Sequence, residues 1–195
     1  MGTPKQPASV RLIMGILAQD AEQVTRVVPF LIERFGPLGH NLDPIPYTWT
    51  NYYQDELGSE PVRCILTFET LIPREEIVAI KLWTNKLELQ LSREGLRIVN
   101  LDPGYMTLGQ FFLATTKDQR QRVYVSDGIF VEPTLYFQDG GWHAFPWTYR
   151  DWQSPLYLEY LGKVREQLAY QLTTGISWSQ RKHRKELLQS KKPTL

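Results

Sequence analysis

Two nine-residue segments of the chain carry aromatic rings in the same arrangement around polar groups. IPYTWTNYY at 45–53 and FPWTYRDWQ at 145–153 each run proline, aromatic, threonine, aromatic, any residue, Asn or Asp, aromatic. Such rings can pack against a cofactor ring, a nucleobase or a sugar, while the polar groups orient it. Alternatively, the rings pack on one another across neighbouring strands, or the repeat is chance in a Trp- and Tyr-rich chain. The candidate ligand-binding residues here are Tyr47, Trp49, Asn51, Tyr52, Trp147, Thr148, Tyr149 and Asp151.

A third segment, VNLDPGYMT at 99–107, adds Asn100, Asp102 and Tyr105 to the candidate ligand-binding residues. It lies at the predicted carboxyl end of a strand, where folds of the α/β type place their ligands. The alternative is a stiff turn whose Asn and Asp side chains bond their own backbone. If the site is catalytic, Asp102 or Asp151 is the candidate base.

A fourth segment, ATTKD at 114–118, supplies two hydroxyls and an ammonium at Thr115, Thr116 and Lys117. Together these groups could hold a phosphate, with the lysine as the point charge and the threonines as donors. The alternative is a helix end followed by a solvated loop. The four segments together favour an anionic or nucleotide-like ligand.

Several common chemistries have no motif in this chain. There is no G-x-x-x-x-G-K-[ST], no G-x-G-x-x-G and no G-x-S-x-G, and no motif identifies a cofactor. His40, His143 and His183 have no ligand spacing, so no metal site is predicted. The single cysteine, Cys64, lies in an apolar run and is predicted to be a buried thiol.

Charge and hydropathy limit the partners. The formal net charge is +1, but residues 181–195 carry +5, which leaves the rest of the chain at −4. The negative charge of the body argues against nucleic-acid binding by that part of the chain. The basic tail could still bind nucleic acid, with aromatic side chains stacking on the bases. No apolar stretch reaches the roughly 18–20 residues that span a bilayer. We therefore predict that the protein does not bind a membrane and that it is cytoplasmic.

The elements that must position these segments follow from periodicity and punctuation. Asp20 is predicted to cap a helix, with Gln23 completing a capping box, and Gly36 ends that helix. Asp127-Gly128 and Asp139-Gly140 predict hairpin turns. Strands are predicted over 10–18, 43–51 (at an edge), 62–72, 96–102 (ending at Pro103-Gly104), 121–127, 129–139 and 141–147. Helices are predicted over 20–35, 73–92 and 155–173. A further helix is predicted over 106–114, in preference to a strand at 110–115.

This order predicts a single α+β domain over residues 10–175, with helices mainly on one face of the sheet. We expect a ferredoxin-like split βαβ core, extended by an antiparallel hairpin meander and a C-terminal helix. Residues 1–9 are predicted to be a flexible N-terminus, and residues 176–195 a basic tail that could continue as helix.

The chain also resembles a known family over about residues 10–170. The segments that carry the likeness, in order, are IERFGPL, TNYYQDELG, FETLIPREEIVAIKLWTNKLE, RIVNLDPGYMTLGQFFLATTKD, RVYVSDGIFVEPTLYF and PWTYRDWQSPLY. They resemble the bacterial family known as domain of unknown function 4416, whose members are sometimes labelled GTP-binding. VNLDPG is similar to a Val-Asn-Leu-Asp-Pro-Ala segment of the GPN-loop GTPases, but this chain has no P-loop, so the likeness does not imply a GTPase.

Three function classes follow from these features. A small-molecule binding domain or enzyme requires Asp102, Lys117 and Asp151 to converge in one cleft. A non-catalytic protein-interaction module requires an exposed aromatic patch. Nucleic-acid binding would depend on the basic tail.

Overall fold

The computed structural model describes residues 2–190, with side chains through Arg184. Residues 2–9 have no regular secondary structure. The helices are α1 (Ala21–Phe35), α2 (Gln54–Leu57), α3 (Ile77–Leu91), α4 (Pro155–Thr174) and α5 (Trp178–Ser190), with 3-10 turns at Arg74–Glu76 and Asp151–Gln153. The strands are β1 (Val10–Ala18), β2 (Leu42–Pro46), β3 (Val62–Ile72), β4 (Val99–Met106), β5 (Gln110–Thr115), β6 (Val123–Ser126), β7 (Ile129–Gln138) and β8 (Gly141–Ala144).

The strands form one antiparallel sheet in the order β2-β3-β1-β4-β5-β7-β6, with β8 paired to β7. The order β2-β3-β1-β4, with α1 and α3 as the connecting helices, is that of the predicted ferredoxin-like core. The predicted α+β class is therefore confirmed. The remaining strands extend the sheet beyond β4 as the antiparallel meander.

Helices cover both faces of the central strand β1, and all nine of its residues are buried. Leu12, Met14 and Ile16 face α1 and α3, whereas Ile13 faces the opposite side and packs with α4. This alternation follows from the two-residue period of a strand. The expectation that helices lie mainly on one face therefore holds for α1 and α3 but not for α4.

Local signals account for most element boundaries. The Asp20 carboxylate accepts a hydrogen bond from the Gln23 amide at 2.9 Å and caps α1. The other half of the predicted capping box, in which the Gln23 side chain would accept from the Asp20 amide, is wrong, because this side chain accepts from Arg26. Part of the predicted tail forms helix α5, whereas residues 191–195 lie outside the described residues. The edge strand is shorter than predicted, because prolines at 44 and 46 leave β2 few donors for pairing.

The predicted helix over 106–114 is wrong, because this stretch contains strand β5. β5 hydrogen-bonds β4 on one side and β7 on the other, so its backbone groups are satisfied by the sheet. The predicted end of the preceding strand at Pro103-Gly104 is also wrong, since β4 continues to Met106. A side chain at Gly104 would collide with the Phe112 carbonyl oxygen, so glycine allows β4 and β5 to meet here.

Candidate functional site

A cleft of about 530 Å³ opens where β4 and β5 separate. β4 pairs with β1 along its whole length, from Val99 to Met106, but pairs with β5 only from Gly104 onward. The first half of β4 therefore lacks a strand neighbour on its β5 side. The segments that contain VNLD and TTKD border this gap from its two sides.

Side chains of α3 replace the missing strand. The Lys81 ammonium donates to the Leu101 carbonyl oxygen at 2.8 Å, and the Leu101 amide donates to Glu88 Oε1 at 2.8 Å. Arg97 donates to the other Glu88 oxygen at 3.0 Å and to Asn100 Oδ1 at 3.0 Å. Burial raises the pKa of Glu88, although Lys81 opposes that shift.

The floor of the cleft is built on Arg63 of β3. Its guanidinium crosses the central strand above Gly15 and pairs with Asp102 of β4 at 3.4 Å. A Cβ atom at Gly15 would lie 2.8 Å from an Arg63 nitrogen, so a side chain here would displace the guanidinium. The guanidinium carbon also lies 5.3 Å from the Trp152 ring centroid and 5.9 Å from that of Tyr47. The aromatic segments thus cover a buried cation.

Asp151 lies beside this cation and is only 4% exposed. Burial raises its pKa, the nearby Asp102 adds to the effect, and Arg63 opposes it. Within residues 2–184, the Asp151 carboxylate has no ion-pair partner, whereas Asp102 is paired with Arg63. The two candidate carboxylates therefore occupy different environments on one floor.

Buried phenols surround the same floor. Burial raises the pKa of Tyr53 to about 12 and that of Tyr157 to about 12, and it also raises the pKa of Tyr47. These groups stay protonated at neutral pH and can donate hydrogen bonds. The Tyr157 hydroxyl has no partner in the described part of the chain.

The mouth of the cleft carries Lys117, in the loop after β5. Its ammonium lies 5.2 Å from the Tyr52 ring centroid and 3.5 Å from the Tyr52 hydroxyl. Arg122 holds this loop against β7: it donates to the Lys117 carbonyl oxygen at 2.9 Å and pairs with Glu132 of β7 at 2.8 Å. Among the described residues, no carboxylate lies within 4.0 Å of the Lys117 ammonium.

Nine of the residues that the sequence singled out line this one cleft. They are Tyr47, Tyr52, Asn100, Asp102, Thr115, Thr116, Lys117, Tyr149 and Asp151. The convergence required by a small-molecule site is therefore present for Asp102, Lys117 and Asp151.

Five other candidates lie outside the lining. Trp49 and Asn51 are exposed in the loop before α2. Tyr105 points away because it is three residues from Asp102 on one strand, and it stacks on Phe112. Trp147 and Thr148 anchor their loop to β7, by donating to the carbonyl oxygens of Pro133 at 2.8 Å and Thr134 at 2.6 Å.

Several lining residues were missed by sequence reasoning, although a signal existed for some of them. Arg63, Lys81 and Glu132 each interrupt an apolar run: VRCILTF, IVAIKLW and IFVEPTL. A charge at a core position requires a partner and so marks a polar site within the core. The other missed lining residues are Thr50, Asn85, Glu88, Arg97, Leu113, Ala114, Gln119 and Arg122, whereas Tyr53 and Trp152 belong to the two aromatic segments.

The donors and acceptors of the cleft suit an organic ligand. Ammonium, guanidinium, amide and hydroxyl donors line it, together with tyrosine rings and two aspartates. Among the described residues, no group of three or more His, Cys, Asp or Glu side chains is placed to hold a metal ion.

The fold and the cleft define an α+β protein with a ferredoxin-like core and a polar, ring-lined cavity at a split in its sheet. The chain belongs to the family described as Domain of unknown function (DUF4416), whose model matches residues 8–168. Searches of curated proteins and of solved structures found no match. Within the part of the chain that the structure describes, no helix has both the length and the apolar character needed to cross a membrane.

Proposed function

We propose that this protein binds a small anionic or nucleotide-like molecule in the β4–β5 cleft. The observation that carries the proposal is the convergence of Asp102, Lys117 and Asp151 on one cavity, from three separate segments of the chain. A volume of about 530 Å³ lies within the range of small-molecule sites. Rings and charged groups together are the lining that a polar, ring-bearing ligand needs.

Unpaired donors near the floor also support the proposal. Arg63 Nε and Asn100 Nδ2 are buried and lack a hydrogen-bond partner among the described residues. Leaving such a group unsatisfied costs about 1–3 kcal/mol, so buried polar groups without a partner call for an explanation. A ligand that brings acceptor atoms into the cleft supplies one.

Any reaction in this cleft would use Asp151 as its acid–base group. Its carboxylate is buried without an ion-pair partner, and its raised pKa brings it closer to neutral pH than an ordinary aspartate. Asp102 instead pairs with Arg63 and forms part of the floor. This division follows the general pattern in which two carboxylates of one site take different roles according to environment.

A thermal-shift screen tests the proposal. The purified protein is screened against nucleotides, phosphorylated metabolites and divalent cations. A ligand at a hundred times its Kd stabilises the fold by about 2.7 kcal/mol, which raises the Tm measurably. Lys117→Met should reduce the shift, whereas Lys163→Met, at an exposed lysine on α4, should retain it in full. A flat response across the panel would count against the proposal for these ligand classes.

A second candidate function is a non-catalytic protein-interaction module. It is favoured by exposed rings beside the mouth, since Trp49 is 46%, Tyr52 69% and Tyr149 55% exposed. Tyrosine and tryptophan are typical anchors of interfaces. A partner captured by the wild type and lost with Trp49→Ala, which lies outside the cleft lining, would support this function over the first.

A further inference from the structure

Most charged groups of the cleft are already engaged with one another. Arg63 pairs with Asp102, and Arg122 pairs with Glu132. Arg97 bridges two carboxylates, at 2.6 Å to Glu56 and 3.0 Å to Glu88, and the Lys81 ammonium donates to the Leu101 carbonyl oxygen. These groups shape the walls of the cleft but hold little unmatched charge for a ligand.

Three charged side chains in the lining are left without an ion pair in residues 2–184. One is Lys81, which is buried and donates to the Leu101 carbonyl oxygen; the other two, Lys117 and Asp151, lie at opposite depths. Lys117 is exposed at the mouth, against the ring of Tyr52. Asp151 is buried at the floor, against Arg63 and Trp152. The cleft therefore has a cation without an ion pair at its mouth and a carboxylate without an ion pair at its floor.

The chemistry around each group indicates what it can bind. Beside Lys117, the Thr116 and Thr115 hydroxyls are available as donors; Thr115 Oγ1 accepts from the Lys117 amide at 3.2 Å and keeps its own O–H. An ammonium flanked by hydroxyls suits a phosphate. At the floor, by contrast, Asp102 already neutralises Arg63, and Asp151 adds a further negative charge that disfavours an anion.

We propose, building on the function proposed above, that the ligand is a phosphate monoester that binds in one orientation. Its phosphate lies at the mouth on Lys117, and a hydroxyl or N–H group at its other end donates to Asp151 at the floor. Sugar phosphates and nucleoside monophosphates share this chemistry. The tyrosine rings of the lining flank the body of the molecule between its two ends.

Calorimetry with matched probes tests the orientation. The probes are ribose 5-phosphate, AMP, GMP, CMP and UMP, each compared with its unphosphorylated counterpart. In the wild type, at least one phosphorylated probe should bind on the order of 10-fold more tightly than its counterpart, as one charge-assisted contact provides. Equal affinity for ribose 5-phosphate and the nucleotides would identify the sugar phosphate as the recognised part. Tighter binding of a nucleotide would show that the base is recognised as well.

Two substitutions separate the two ends of the ligand. Lys117→Met should remove the difference in affinity between the phosphorylated probe and its counterpart. Asp151→Asn should lower the affinity for both, by on the order of 10-fold. Lys163→Met and Asp139→Asn are exposed, charge-matched controls outside the cleft and should change neither affinity. A phosphate advantage that survives Lys117→Met, or unchanged binding by Asp151→Asn, would overturn the inference while leaving the proposed function intact.

A crystal structure of the wild type with the tightest probe gives a check that does not depend on how Asp151→Asn folds. We expect the phosphate beside the Lys117 ammonium and a donor of the probe on the Asp151 carboxylate. The reverse orientation would overturn the inference. If no phosphorylated probe binds the wild type, both the inference and the phosphate form of the proposed function fail.

Discussion

Arg63 of β3 reaches Asp102 of β4 across the full width of the central strand, because Gly15 between them has no side chain. The ion pair thus joins two strands that are not neighbours in the sheet. It also forms the floor on which Asp151 and Trp152 rest. The shape of the cleft therefore depends on one small residue in the central strand.

Gly15→Ala should destabilise the fold and disrupt this floor. The added Cβ would lie 2.8 Å from an Arg63 nitrogen, so the buried guanidinium must move. Overpacking of this kind costs about 1–3 kcal/mol in the free energy of unfolding, measurable by urea denaturation. Gly162→Ala on α4 is the matched control, since nothing lies within 4 Å of its added Cβ. Equal stabilities for the two variants would contradict the role assigned to Gly15.

Glu132→Gln should destabilise the protein and loosen the loop that carries Lys117. Glu132 and Arg122 are 3% and 5% exposed at their side chains, and Gln121 also donates to the same carboxylate oxygen at 2.9 Å. Removing one partner of a buried ion pair costs about 3–5 kcal/mol. Urea denaturation and amide hydrogen exchange over residues 116–122 would measure both effects. Glu159→Gln, which breaks the exposed Glu159–Lys163 pair on α4, should leave both unchanged.

Asp151→Asn should gain stability relative to the wild type as pH rises. The pKa of Asp151 is raised in the folded state, so the wild type loses stability as pH rises from the ordinary aspartate pKa through the raised value. The asparagine variant has no such proton to release. The difference in unfolding free energy between variant and wild type should therefore increase across this window.

Urea denaturation at a series of pH values from 4 to 8 would measure that difference. Asp139→Asn, in an exposed hairpin turn, is the charge-matched control. A flat profile for Asp151→Asn would contradict the raised pKa.

Glu69→Gln should release α5 from the sheet. The Glu69 carboxylate accepts from Ser177 Oγ at 2.8 Å, from the Ser179 amide at 3.0 Å and from Ser179 Oγ at 2.5 Å. Burial raises its pKa, but these hydrogen bonds outweigh burial and the pKa is lowered. The docking is therefore expected to weaken as pH falls through that lowered value.

Limited proteolysis between α4 and α5 would measure this release. We expect faster cleavage in Glu69→Gln than in the wild type, and faster cleavage of the wild type in acid. Glu166→Gln, an exposed residue of α4, is the control and should be cleaved at the wild-type rate. Identical rates for all three proteins would contradict a docking role for Glu69.

Local sequence signals determined most of the elements. The Asp20 cap, the proline-initiated α4 and the turns at Asp127-Gly128 and Asp139-Gly140 each depend on contacts within a few residues. The polar segments that line the cleft were also recognisable, because polar and aromatic groups at the ends of apolar runs differ from the core pattern around them. The apolar residues at 110–115 fit the period of either a helix or a strand, and only pairing with β4 and β7 makes this segment strand β5.

Only the tertiary structure decided which of the candidate residues meet. The register of β4 places Asn100 and Asp102 in the cleft and Tyr105 on the other face. The separation of β4 from β5 creates the cavity, and the position of Gly15 opposite Asp102 admits Arg63. Each of these relations joins residues far apart in the chain, so it depends on strand pairing and packing, whereas caps and turns are fixed by bonds between near neighbours.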